Sequence, residues 1–122
     1  MARTPLVVED EPSIADLLAL ILGAEGYTVV VVGDGRAALR RLAEARYDLI
    51  LSDVMMPHLD GPGLARALQD DPGLRAIPLI LMSAAHRPRD GVTGYAAFLP
   101  KPFDLDRLLA TVARLLGPNH GG

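Results

Sequence analysis

A single lysine stands among eleven arginines, framed by prolines in Phe98-Leu99-Pro100-Lys101-Pro102-Phe103. An ammonium is a compact point charge, whereas a guanidinium is a broad planar fork. A chain that otherwise uses arginine therefore keeps one compact cation in a stiff frame. Its candidate counterparts are Glu9-Asp10-Glu11 near the start and Asp53 in the middle, and Ser83 adds a hydroxyl. Carboxylates gathered in one small site repel one another and must be protonated, solvated or bridged by a cation. The oxygen-only set Glu9, Asp10 and Asp53 suits Mg²⁺, which takes one or two carboxylates and keeps waters and phosphate oxygens. Calcium fits less well, because no EF-hand-like loop of closely spaced carboxylates is present. Ser83 and Lys101 at the same place would hold the remaining oxygens of a phosphoryl group. Phosphoryl transfer needs mostly positioning and charge neutralisation. A carboxylate can be the acceptor, giving an acyl phosphate. Asp53 is the best candidate, lying between the acid pair and the hydroxyl in chain order.

These residues are far apart in sequence, so the fold must bring them together. Leu6-Val7-Val8 is a short apolar run ending in acids. Acidic residues and Pro12 then open a helix with Ile14, Leu17, Leu18, Ile21 and Leu22 at helical spacing. Thr28 to Val32 reads as a continuous strand buried on both faces. Asp34-Gly35 opens a second helix with Ala38, Leu39, Leu42 and Ala45 on one face. Asp48 to Ser52 is a third strand running into Asp53. Pro57 and Gly61 lie in a loop before a helix carrying Leu64, Ala65 and Leu68. Ile77 to Met82 is a fourth strand running into Ser83, and Ala96 to Leu99 a fifth ending near Lys101. Asp104 caps a last helix with Leu105, Leu108, Leu109, Val112 and Leu116.

Strands alternating with helices, and lacking polar alternation, indicate an α/β fold with a parallel sheet. Right-handed crossovers put the carboxyl ends of all strands on one edge, where sites form in such sheets. Glu9, Asp10, Asp53, Ser83 and Lys101 all follow strands and should meet there.

Composition narrows the classes. A chain of 122 residues fits one domain with a real core, filled by aliphatic residues because only 4% are aromatic. A net charge of −3 and scattered arginines argue against direct nucleic-acid binding. The absence of cysteine excludes disulfides and thiolate metal sites. No apolar run approaches a membrane span or a signal peptide, so a soluble cytoplasmic protein is expected.

Four segments in this order resemble the receiver domain of two-component response regulators, within the CheY-like superfamily. They are Val8-Glu9-Asp10-Glu11; Ser52-Asp53-Val54-Met55-Met56-Pro57 with Asp60-Gly61; Met82-Ser83-Ala84; and Phe98-Leu99-Pro100-Lys101-Pro102-Phe103. The resemblance implies a doubly wound, flavodoxin-like sheet of five parallel strands in the order 2-1-3-4-5, with helices on both faces. It implies that Asp53 takes a phosphoryl group from the phosphohistidine of a sensor histidine kinase or phosphotransfer protein. Glu9, Asp10, Asp53 and the main-chain carbonyl of Met55 would hold Mg²⁺. Ser83 and Lys101 would bind phosphoryl oxygens, helped by the backbone N–H groups of Met55 and Ala84. Ser83 and Phe98 occupy the switch positions, and the Lys101–Pro102 bond is expected to be cis, an isomer that proline makes accessible. Such a domain turns over no external substrate. It transfers to and hydrolyses from its own aspartate, and signals to a downstream protein or a fused output domain.

Three features depart from the family pattern, one of them being Ser83 in place of the more frequent threonine. The stretch from Ser83 to Lys101 is short by about one helical turn. Between His86 and Tyr95 it holds a proline and two glycines, which cost about 3 and about 1 kcal/mol in a helix interior. The family's fourth helix is therefore expected to be short, irregular or absent. Phe98 replaces the more frequent tyrosine and loses its hydroxyl. Residues 1–117 are read as the receiver domain and 118–122 as a flexible tail, which leaves no room for a DNA-binding output domain. His58, close to Asp53 in sequence, is read as a solvated loop residue rather than a base. A degenerate receiver used as a phosphorylation-independent docking module is the alternative. A phosphohydrolase with an aspartyl nucleophile fits poorly, because Met55 stands where a second aspartate would serve as acid and base.

Overall fold

The computed structural model describes residues 3–55, 58–84 and 93–117. Strands β1 (Pro5–Val8), β2 (Val30–Val32), β3 (Leu49–Asp53), β4 (Leu79–Ser83) and β5 (Ala97–Pro100) form one parallel sheet in the order β2-β1-β3-β4-β5. Helices α1 (Pro12–Ala24), α2 (Gly35–Glu44), α3 (Gly61–Asp70) and α4 (Leu105–Leu116) complete the described elements.

The uninterrupted apolar strands are explained by two separate cores. Side chains alternate across a strand, and here both faces are covered. Leu6, Val8, Ile50, Leu79 and Leu81 pack with Ala38, Leu42, Leu64 and Leu68 of α2 and α3. Val7, Leu49, Leu51, Ile80 and Met82 pack with Leu18, Leu22, Leu108 and Val112 of α1 and α4. Each fully buried side chain of this size contributes about 1.5–3 kcal/mol of transfer free energy. The three central strands carry most of that burial. The edge differs: β2 has only three residues, and Val31 is 39% exposed. The expectation of a strand from Thr28, buried on both faces, was too strong, because an edge strand has a neighbour on one side only.

The helices begin at the carboxyl edge of the sheet, and three of them begin on a capping aspartate. The side chains of Asp34, Asp60 and Asp104 accept from the N–H groups of Ala37, Gly63 and Arg107. Such caps satisfy donors that the helix leaves without a partner. Helix α1 starts instead on Pro12, with no side-chain cap. Its N-terminus directly follows Glu9 and Asp10.

Among the described residues no helix lies between β4 and β5, and Thr93–Tyr95 is not helical. The rest of the shortened stretch, residues 85–92, lies outside the described residues, as does the expected tail at 118–122. No helix among the described residues is long and apolar enough to cross a membrane.

Candidate functional site

Five of the predicted residues lie at the end of a strand or just beyond it. Glu9 and Asp10 follow β1, Asp53 ends β3, Ser83 ends β4 and Lys101 follows β5. Parallel register aligns those ends: Val8 pairs with Ser52, Asp53 with Met82, and Ser83 with Pro100. The backbone N–H of Lys101 donates to the carbonyl of Ser83 at 2.9 Å, so β5 places the lysine directly past the hydroxyl. The Lys101–Pro102 bond is cis, as expected.

Carboxylate oxygens of Glu9, Asp10 and Asp53 lie within 4.8 Å of one another. The Glu9 side chain is wholly buried, whereas Asp10 is exposed. The ammonium of Lys101 bridges two of the three, donating to Glu9 Oε1 at 2.5 Å and Asp53 Oδ2 at 2.9 Å. The other Asp53 oxygen, Oδ1, faces the backbone N–H of Met55 at 3.4 Å. Met55 is 73% exposed, and it is its main chain that meets Asp53. Ser83 is buried, and Ala84 next to it is exposed. Phe98 is half-buried against the α2–α3 core.

Burial pushes the Glu9 carboxyl above its ordinary range, opposed by the hydrogen bond from Lys101 and reinforced by the charge of Asp53. Burial alone would lower the Lys101 ammonium, but hydrogen bonds and charges from Glu9 and Asp53 outweigh it and raise the group. Lys101 therefore remains a cation, yet one ammonium cannot neutralise three carboxylates. Fully ionised, the site carries a surplus of two negative charges, which a divalent cation would balance. Glu9, Asp10 and Asp53 lie close enough for one such ion to be shared among them. The donor set, its spacing and its charge all fit Mg²⁺.

The chain entering α3 approaches the end of β3 closely, and Gly61 permits this. A Cβ on Gly61 would lie 2.8 Å from the Asp53 carbonyl oxygen and 2.9 Å from Val54 Cα. Both neighbours are backbone and cannot swing away. Gly61→Ala should therefore destabilise the protein by about 1–3 kcal/mol, despite a helix-propensity gain of at most about 1 kcal/mol. Denaturant midpoints test this, and an unchanged midpoint would contradict the close approach.

Lys101 meets two of its expected counterparts, Glu9 and Asp53, and the shorter contact is to Glu9. Sequence reasoning missed one contact. His58, read as solvated, is 59% exposed yet has its Nδ1 2.9 Å from Asp34 Oδ2. The N–H of Ala37 and this imidazole hold the Asp34 carboxyl below its ordinary range. Asp34-Gly35 had signalled only a helix start, and nothing in either segment announces a partner 24 residues away.

A model of the response regulator receiver domain matches residues 6–113. The DNA-binding response regulator MtrA of Mycolicibacterium smegmatis is 36% identical over 98% of this chain and 53% of its own length. The chain thus spans about half the length of the curated relatives it matches first. Among solved structures, the receiver domain of a signal transduction histidine kinase from Syntrophus aciditrophicus superposes with a TM-score of 0.88. It is 42% identical, and the match covers 94% of this chain and 90% of that one. The receiver domain of the sensor histidine kinase PA1611 from Pseudomonas aeruginosa PAO1 gives a TM-score of 0.87 at 30% identity, covering 97% of this chain and all of that one. It was solved with a magnesium ion coordinated in its active-site cleft. This chain belongs to the response regulator receiver domain family, and its fold is that of a two-component receiver.

Proposed function

We propose that this domain accepts a phosphoryl group on Asp53 and signals through the change that follows. The observation that carries this reading is the surroundings of the Asp53 carboxylate. One oxygen is held by the Lys101 ammonium, the other faces the Met55 N–H, and Glu9 and Asp10 stand within ligand distance. Glu9, Asp10, Asp53 and the Met55 carbonyl would hold Mg²⁺, which supplies charge neutralisation for the transferring group.

In the reaction, an Asp53 oxygen attacks the phosphorus of a phosphohistidine. The P–N bond breaks as the O–P bond forms, and the imidazole leaves and takes a proton from solvent. Lys101 exchanges its bond to Asp53 for a phosphoryl oxygen, and Ser83 and the N–H groups of Met55 and Ala84 bind the others. Hydrolysis of the acyl phosphate resets the domain, with no external substrate turned over. Ser83 and Phe98 would carry the switch, by movement of the hydroxyl toward the phosphate and of the ring inward. Residues 1–117 form the working unit, in the cytoplasm.

The donor is a sensor histidine kinase or phosphotransfer protein. A surface for it is supported by an apolar groove of about 300 Å³ beside Lys101, lined by Ile14, Leu17, Ile21, Pro102, Phe103 and Leu105. The receiver passes its signal to a protein target or a fused output domain and does not itself contact nucleic acid.

Incubation with Mg²⁺ and a small acyl phosphate, followed by intact-mass measurement, tests the reading. The wild type should gain one phosphoryl group, and Asp53→Ala should gain none. No adduct on the wild type, or an equal adduct on Asp53→Ala, would refute it.

A further inference from the structure

Among the described residues, His58 is the only non-glycine residue with a positive φ, at 67°. A side chain is held in that region only where its surroundings over-determine it, and such positions cluster at functional sites. The surroundings here come from the turn between β2 and α2. His58 Nδ1 lies 2.9 Å from Asp34 Oδ2, and the N–H of Gly35 donates to the carbonyl of Leu59 at 3.2 Å. Two adjacent bonds, one between side chains and one between backbones, thus clip the two loops together. A Cβ on Gly35 would lie 2.4 Å from the Leu59 oxygen, so the approach depends on glycine. Asp34 is fixed in turn, because its Oδ1 accepts from the Ala37 N–H at 2.8 Å as the cap of α2.

The clipped loop also serves Asp53. Near its start the Met55 N–H faces Asp53 Oδ1, and at its end the Gly61 N–H donates to the Val54 carbonyl at 3.0 Å. His58 follows Met55 by three positions. Fixing His58 and Leu59 from outside therefore limits where the Met55 backbone can go. An exposed pair adds little to stability, so its consequence lies in placement.

We infer that His58 is a positioning residue: paired with Asp34, it anchors the chain at His58 and Leu59, and thereby limits, three positions earlier, where the Met55 backbone can face Asp53. The inference rests on the reading of Asp53 as phosphoacceptor with Met55 as its backbone partner.

The test uses the full chain and variants that spare the local backbone. His58→Gly tolerates the positive φ without the imidazole. Asp34→Ser keeps a cap of similar strength but has a single oxygen, which the Ala37 N–H occupies. Mg²⁺ titration followed by the Met55 amide resonance, and the rate of adduct formation with a small acyl phosphate, are measured for each. Each single variant should weaken Mg²⁺ binding by about 10-fold, the loss typical of a group that orients a ligand. The Met55 resonance should shift before metal is added, while the unfolding midpoint stays that of the wild type. The double variant should lose no more than either single, because both remove one pair. Wild-type affinity and an unshifted resonance in the single variants, or losses that simply add, would overturn the inference. A wild type that takes no phosphoryl group overturns the reading of Asp53 instead, and the metal-free Met55 resonance still decides whether the clip places the loop.

Discussion

Exchanging Lys101 for arginine should slow phosphoryl transfer to Asp53 by about 100-fold, although the positive charge is kept. The ammonium places a single atom 2.5 Å from Glu9 and 2.9 Å from Asp53, with its side chain only 11% exposed. A guanidinium spreads its donors over a planar fork and prefers to engage one carboxylate with two parallel bonds. In the same space it would either pair with Asp53 and block the attacking oxygens or move out of line. Neither arrangement lets one donor pass from Asp53 to a phosphoryl oxygen. Lys101→Ala removes the donor altogether and should cost about 100- to 1000-fold, as loss of a transition-state donor does elsewhere. Intact-mass time courses at fixed Mg²⁺ decide the matter. An arginine variant as fast as the wild type would show that charge alone suffices and that the compact cation is incidental.

Glu9→Gln should have opposite effects on stability and on metal binding. Glu9 is raised above its ordinary value of 4.5, by burial foremost and by the charge of Asp53. A folded group that holds its proton more tightly than the unfolded chain stabilises the fold most at low pH. That contribution is present below 4.5 and is lost as pH rises through the folded value. At pH 7 the wild type bears the cost of a buried charge, and the glutamine variant does not. Without metal, Glu9→Gln should be the more stable protein at pH 7, and its margin should shrink toward pH 4.5. Lys101 does not confuse the comparison. Its raised value means its contribution is intact below 10.5 and lost only as pH climbs through the folded value above that. Saturating Mg²⁺ should reverse the order. A ligand at a hundredfold excess over its Kd adds about 2.7 kcal/mol to the protein that binds it, and loss of Glu9 should weaken binding by at least about 10-fold. Denaturant curves with chelator and with Mg²⁺ test both halves. A glutamine variant less stable than the wild type at pH 7 in chelator would refute the first.

Such a trade-off is expected of a site built for a cation. Three carboxylates come within 4.8 Å because β1 and β3 run side by side in register and end at the same edge. The buried apolar residues of β1, β3 and β4 offset the repulsion, which a divalent cation would relieve.

Much of this was legible in the residues. A parallel sheet with covered faces requires apolar runs without alternation, and those runs are plain at Leu6-Val7-Val8, Leu49-Ile50-Leu51 and Leu79-Ile80-Leu81-Met82. Once they are strands, chain direction alone sends Glu9, Asp53, Ser83 and Lys101 to one edge. Strand ends were less certain. Thr28 and Val29 read as strand but precede β2, and Pro78 accepts from Ile50 just before β4 begins. Propensity cannot see where hydrogen-bonded partners stop.

The sequence by itself determined which groups meet, because periodicity and strand direction are local properties of the chain. Tertiary structure alone decided how they meet. Lys101 turns to Glu9 as well as Asp53 because the Glu9 carboxylate is buried: the chain itself offers Oε2 the Glu11 N–H, but Oε1 depends on what the fold brings beside it. His58 reaches Asp34 because Gly35 lets two loops touch that no local pattern relates. Contacts between segments distant in the chain depend on the packed positions of both, and neither segment encodes them alone.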